Sequence, residues 1–200
     1  MNRATRSMTR LAIGVMSMGF ATGAAAQDAV LTGFSYGVGQ SLSDTKTFSN
    51  DFSFRNAGAE IRGVMGQTSF GASISWHVFH DEIVEATELE DNPVTASGLQ
   101  FRNVNTIPMM LTAHRYFGSV RQTRAYIGVG AGTAWTQHSV DIGIFTVDED
   151  SWGFTAIPEA GFIINSGGST EWYVNAKYQW TSGDIGASAL YFNIGVFTGG

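Results

Sequence analysis

Apolar and polar residues alternate along most of this chain, and they do so one by one. The stretch RAYIGVGAGTAW, from Arg124 to Trp135, shows it best. Ala125, Ile127, Val129, Ala131, Thr133 and Trp135 fall on one face of an extended segment, and Tyr126, Gly128, Gly130, Gly132 and Ala134 on the other. A period of two is the signature of a strand. One face is apolar enough for lipid, while the other is mostly glycine and suits a narrow interior where side chains from opposite strands must fit.

The same pattern recurs. Trp172, Val174, Ala176, Tyr178 and Trp180 oppose Tyr173, Asn175, Lys177 and Gln179, and Phe70, Ala72, Ile74, Trp76 and Val78 oppose Gly71, Ser73, Ser75, His77 and Phe79. Phe34, Tyr36 and Val38 oppose glycines and Ser35, and Leu190, Phe192, Ile194 and Val196 oppose Tyr191, Asn193 and Gly195. From Ala57 to Met65, Glu60 and Arg62 share one face, and Ala59, Ile61 and Met65 the other. The pattern predicts eight strands of about 9 to 13 residues, the length a tilted strand needs to cross a bilayer. Ten strands result if Phe48 to Phe54 or Val140 to Val147 also pairs into the sheet.

The links between these segments alternate in length. Gly66 to Thr68, Gly118 to Thr123 and Asn165 to Thr170 are short, whereas Gln40 to Asn56, Asp81 to Gln100 and Gln137 to Ser151 are long and rich in Ser, Thr, Asn and Asp. Short inner turns and long outer loops are what an antiparallel up-and-down transmembrane barrel has. Only Ser182 to Ala187 is a short outer link. The charges give the facing. Glu60, Arg62, Glu159 and Lys177 lie inside strands on the less apolar face, a position lipid tolerates only if that face is the lumen. Trp76, Trp135, Trp152, Trp172 and Trp180, with Tyr126, are the expected interfacial anchors. A β-sandwich with one wet face would show the same alternation, but it would not explain the unequal links.

Before the strands, Arg3, Arg6 and Arg10 precede an apolar run from Leu11 to Phe20, then Ala24-Ala25-Ala26 and Gln27. That is the layout of a secretory signal peptide over residues 1–26, leaving a barrel domain over 27–200. Three of the 11 basic residues and none of the 17 acidic ones leave with it, so the formal charge moves from −6 to −9. Nucleic acid, itself anionic, is a poor partner for such a chain. There is no cysteine, hence no disulfide or thiolate site.

Ile107-Pro108 through Tyr116-Phe117-Gly118, Arg124 to Gly132, Ile157-Pro158-Glu159-Ala160-Gly161-Phe162 and Asn175-Ala176-Lys177-Tyr178 resemble the hairpins of small bacterial outer-membrane β-barrel domain proteins, the OmpA/OmpX-like transmembrane barrels. The resemblance covers about Asn105 to Phe197; the first half shares only the alternation. It implies a monomer in the outer membrane of a Gram-negative bacterium, in contact with lipid and lipopolysaccharide, inserted by the barrel assembly machinery and able to meet a surface partner through its outer loops. With nothing following the last strand, a peptidoglycan-binding domain of the kind some relatives carry is not expected. Phe197-Thr198-Gly199-Gly200 departs from the terminal aromatic residue that the family's last strand carries.

Four histidines could carry chemistry: His77, His80, His114 and His138, the last beside Ser139. A serine nucleophile needs its base within hydrogen-bond reach, and neighbours on a strand face opposite ways. The lumen set Glu60, Arg62, His77, His114, Glu159 and Lys177 either pairs into a plug, as the width of an eight-stranded barrel favours, or lines a narrow water path. Asp81, Glu82, Glu85, Glu88, Glu90 and Asp91, with Asp148-Glu149-Asp150, are read as a solvated loop face; carboxylates there could also hold a divalent cation against lipopolysaccharide. Arg115, Arg121 and Arg124 are expected to snorkel around an inner turn. The expectation is a structural or surface-interaction barrel without catalytic centre, cofactor or metal. A low-conductance pore and a lipid A-modifying enzyme are the alternatives.

Overall fold

The computed structural model describes residues 29–49, 52–88, 95–119, 122–142, 145–165, 169–183 and 185–199, so residues 1–26, expected to be a signal peptide, lie outside the described residues. Eight strands follow one another in order: β1 (Ala29–Leu42), β2 (Phe52–Met65), β3 (Thr68–Glu88), β4 (Thr95–Phe117), β5 (Arg124–Ile142), β6 (Phe145–Asn165), β7 (Thr170–Thr181) and β8 (Ser188–Gly199). A short helix, α1 (Ser43–Phe48), sits between β1 and β2. Each strand pairs antiparallel with the next, and β1 pairs with β8 from Leu31↔Gly199 to Leu42↔Ser188, closing the barrel. Closure leaves the membrane-level sheet without an open edge, which is the condition for burying backbone in lipid.

Strand parity decides what each side chain meets. Leu111 is 69% exposed, Phe70 57% and Ile127 54%, and with Phe34, Ile74, Val129, Phe162 and Ile194 they form an outward apolar surface. A surface so extensive would drive aggregation in water and is stable facing acyl chains. Trp76, Trp152, Trp172 and Trp180 are exposed on the same outer face. Ile107, Trp135 and Trp152 are direct cross-strand neighbours, and the Trp135 Nε1 donates to Asp150 Oδ2 at 3.3 Å. The ten steps from Ala125 to Trp135 climb roughly 25 Å in a strand tilted by about 40°, the height of an outer-membrane apolar band.

Two expectations about this surface need correction. Tyr126 is not an interfacial anchor but is 1% exposed inside the barrel. Arg124 does not snorkel outward; it shares parity with Tyr126, is buried, and pairs with Glu171 at 3.1 Å. Arg115, of opposite facing, is exposed and donates to Gln67 Oε1 at 3.1 Å, and Arg121 lies outside the described residues.

The long outer links also prove to be largely strand. Pairing runs from Asp81↔Arg102 to Glu88↔Thr95 and from Gln137↔Asp150 to Ile142↔Phe145. Val140 to Ile142, Phe145 to Val147 and Phe52 to Phe54 thus lengthen existing strands, and the count among the described residues stays at eight. The loop-like composition misled because a ladder above the membrane uses backbone groups and tolerates polar side chains on both faces. As a result β3 to β6 run 19 to 23 residues while β1, β2, β7 and β8 run 12 to 14, and one wall of the barrel stands higher than the other.

Candidate functional site

The lumen is filled, in layers. At the inner end Leu31, Val64, Tyr116, Tyr126, Ile163, Tyr173 and Phe197 form a buried cluster in which Tyr173 stacks on Phe197 at 4.4 Å. These side chains come from β1, β2, β4, β5, β6, β7 and β8, so no single strand can withdraw and open it.

Above it lies the charged set expected from the sequence. Arg62, fully buried, donates through Nε (2.9 Å) and Nη2 (2.8 Å) to Glu60 Oε2, and through Nη2 to Glu159 Oε1 at 3.2 Å. Its guanidinium lies 4.7 Å from the Phe197 ring centre and 5.0 Å from that of Tyr126. Lys177 Nζ meets the other Glu159 oxygen at 3.1 Å, and His114 Nε2 lies 2.6 Å from Glu159 Oε1. The buried charges are therefore paired, the condition under which a low-dielectric interior accepts them.

Register explains the meeting. Ser69, His114, Gly128, Glu159 and Lys177 form one cross-strand row over β3 to β7. Gly128 stands between His114 and Glu159, and a Cβ there would run into the imidazole. The glycine face of RAYIGVGAGTAW is thus the space through which His114 reaches its carboxylate.

Several partners in this network carried no distinctive sequence signal. Ser69 Oγ is 2.8 Å from Tyr116 Oη and 3.2 Å from His114 Nδ1. A relay of amides runs from Asn56 Nδ2 to Asn193 Oδ1 (2.7 Å), Asn193 Nδ2 to Asn175 Oδ1 (2.8 Å) and Asn175 Nδ2 to Tyr126 Oη (3.0 Å). Ser69, His114 and Glu159 have the order of a nucleophile, base and acid, but Ser69 is fully buried and shares its hydroxyl with Tyr116. The arrangement is packed rather than poised for a substrate. His138 and Ser139 are consecutive in β5 and face opposite sides.

His77 is the one lumen residue of the expected set that stands apart from the ion pairs; it lies against Tyr191 with ring centres 4.0 Å apart. Beside it is a cavity of about 30 Å³ whose walls include Glu60, Ser75, His77, Thr112, Lys177 and Tyr191. Over this comes a second apolar layer of Phe79, Val104, Ala189 and Tyr191, completed by Phe48 of α1. Phe48 stacks on His138 at 4.3 Å with Arg102 5.5 Å from its ring centre, and burial lowers the His138 pKa from its ordinary value.

On the outer wall, His80 Nδ1 lies 2.7 Å from Asn103 Oδ1 and its Nε2 is 3.8 Å from Glu82. Asp148, Glu149 and Asp150 are exposed on β6, and Glu90 and Asp91 lie outside the described residues. Among the described residues no group of three or more His, Asp or Glu side chains is placed to hold a metal ion.

No protein-family model matches this chain, and no curated protein does. Solved structures do. The N-terminal β-barrel domain of Pseudomonas aeruginosa OprF superposes with a TM-score of 0.50 at 14% identity, over 87% of this chain and 98% of that one. Neisserial surface protein A gives 0.49 at 11% identity over 85% and 95%, and the attachment invasion locus protein Ail of Yersinia pestis 0.46 at 12% over 86% and 97%. At such identity the likeness is one of fold. What this chain shares with the OprF domain is the β-barrel fold.

Proposed function

We propose that this chain is a monomeric outer-membrane β-barrel with a structural or surface-interaction role, its lumen occluded and its specificity carried by the high wall of β3 to β6. The observation that carries the reading is the filled interior. Two apolar layers bracket a network in which Arg62 bridges Glu60 and Glu159 while Lys177 and His114 meet Glu159, beside a cavity of only about 30 Å³. A barrel of eight strands is wide enough for its own side chains and little more. The apolar belt takes lipid and the tryptophans the interface, while the wall reaches past the lipopolysaccharide headgroups with exposed carboxylates at Asp148, Glu149 and Asp150.

The buried position of Ser69 and the opposite facing of His138 and Ser139 speak against lipid-modifying chemistry. Planar-bilayer recording of the refolded protein tests the reading: an unbroken baseline is expected, whereas discrete conductance steps would make it a narrow pore. The barrel itself is tested by gel mobility, since the folded form should migrate differently in SDS before and after boiling. Identical migration would sink the membrane-barrel reading altogether.

A further inference from the structure

The helix α1 spans the outer mouth. At one side it lies against β1 and β8, where Ser188 N donates to Thr45 Oγ1 at 2.8 Å, and at the other its Phe48 reaches β4 and β5 to stack on His138 beneath Arg102. Thr45 is fully buried. The helix is one and a half turns long, below the length at which a helix holds itself together. Its N-cap, Leu42, makes no side-chain capping bond, and Ser43 sits at φ 47°, the left-handed region that a residue with a Cβ adopts at a cost. A marginal, strained element thus covers a barrel whose strands are each paired on both sides.

Beneath it the chamber contains polar atoms that want a partner. Glu60 Oε1, His77 Nδ1 and Thr112 Oγ1 are buried with no hydrogen bond, all three residues line the chamber, and Glu60 and His77 are 7% and 4% exposed. A buried carboxylate oxygen is satisfied by protein or by water, and the cavity of about 30 Å³ suits roughly two waters at 10–15 Å³ each. Tyr191 joins the two levels, packing in the layer under Phe48 and on the ring of His77.

We propose that α1 is a lid over a hydrated chamber: release of Phe48 from His138 and Arg102 lets water and solutes of similar size exchange with the chamber from the outer face, while the inner aromatic layer stays shut. Such a chamber opens on one side only and gives no through-path, so the inference goes beyond the occluded-barrel reading without depending on which partner the wall meets.

The absence of native cysteine makes a single-thiol reporter unambiguous. Ser75→Cys places a thiol in the chamber wall, and Ser69→Cys places one below it, against Tyr116. The folded barrel in lipid nanodiscs is exposed to hydrogen peroxide, a probe close to water in size, and the thiol remaining is counted with a maleimide after unfolding. Oxidation at Ser75→Cys should be slow with α1 intact, at least tenfold faster with Phe48→Ala, and several-fold faster with Thr45→Val, which removes the anchor to Ser188 but keeps the packing. Ser69→Cys should be unaffected by either. Three results would overturn the lid: no acceleration at Ser75→Cys by either variant, equal acceleration at Ser69→Cys, or fast oxidation at Ser75→Cys with α1 intact. Gel mobility of each variant, read separately, reports whether the barrel has formed.

Discussion

The two ends of the lumen are closed by different means. The inner end is shut by Tyr116, Tyr126, Tyr173 and Phe197, each rooted in a strand paired on both sides, and tied to the ion pairs through the guanidinium of Arg62. The outer end is shut by Phe79, Val104 and Tyr191 together with one side chain, Phe48, borne by a short helix outside the ladder. The inner closure is made wholly of strand-borne side chains; the outer one includes a side chain from outside the ladder, the part that the proposed lid would displace. Stability is concentrated where the strands cooperate, and conformational freedom where the chain leaves the sheet.

The largest effect should come from breaking the inner end. Arg62→Met leaves Glu60 and Glu159 facing each other without their shared cation, which should cost about 3–5 kcal/mol in urea unfolding from lipid or detergent; a cost below about 1 kcal/mol would show that the network is not a plug but a wet surface. Gly128→Val pushes a side chain into His114, so overpacking of roughly 1–3 kcal/mol is expected in the same assay. At the outer end, Phe48→Ala removes a half-buried ring and should cost only about 1–2 kcal/mol. A loss as large as that of Arg62→Met would erase the contrast between the two ends.

A pH titration sharpens the same contrast. The pKa of His138 is lowered by burial in the folded barrel, so the folded state binds fewer protons than the unfolded one as pH falls. Its contribution to stability is full above the ordinary histidine value of about 6.5 and is lost below it. His138→Phe should flatten that part of the stability–pH profile and leave the rest unchanged. The smallest effect concerns the high wall. Replacing residues 83–99 by a two-residue turn, with β3 and β4 still paired below, should leave unfolding within about 0.5 kcal/mol while abolishing binding of any surface partner that uses that hairpin. A large loss of stability would mean that the wall holds the barrel together.

Much of this was legible in the residues. The alternation in RAYIGVGAGTAW and its companions determined which side chains meet lipid and which meet the lumen, because parity in a strand is local and needs no knowledge of the partner strand. For the same reason Glu60, Arg62, Glu159 and Lys177 were recognisable as interior residues. The outer hairpins read as loops because Asn, Ser and Asp mark loops on average, whereas a ladder in water can carry them. Nearness to a turn points Arg124 and Tyr126 to the interface, while their parity puts them inside.

What the chain could not reveal by itself was register. That Ser69, His114, Gly128, Glu159 and Lys177 share a row, that Arg62 bridges two glutamates, and that Phe48 crosses the mouth to His138 all depend on how eight strands are staggered on closing. Stagger is a property of the whole barrel, set by cooperative pairing and packing rather than by any one segment. Sequence alone determined the strands and the two faces of the wall they make; only the tertiary structure decided that the space inside is occupied, and that a short helix packs over one end of it.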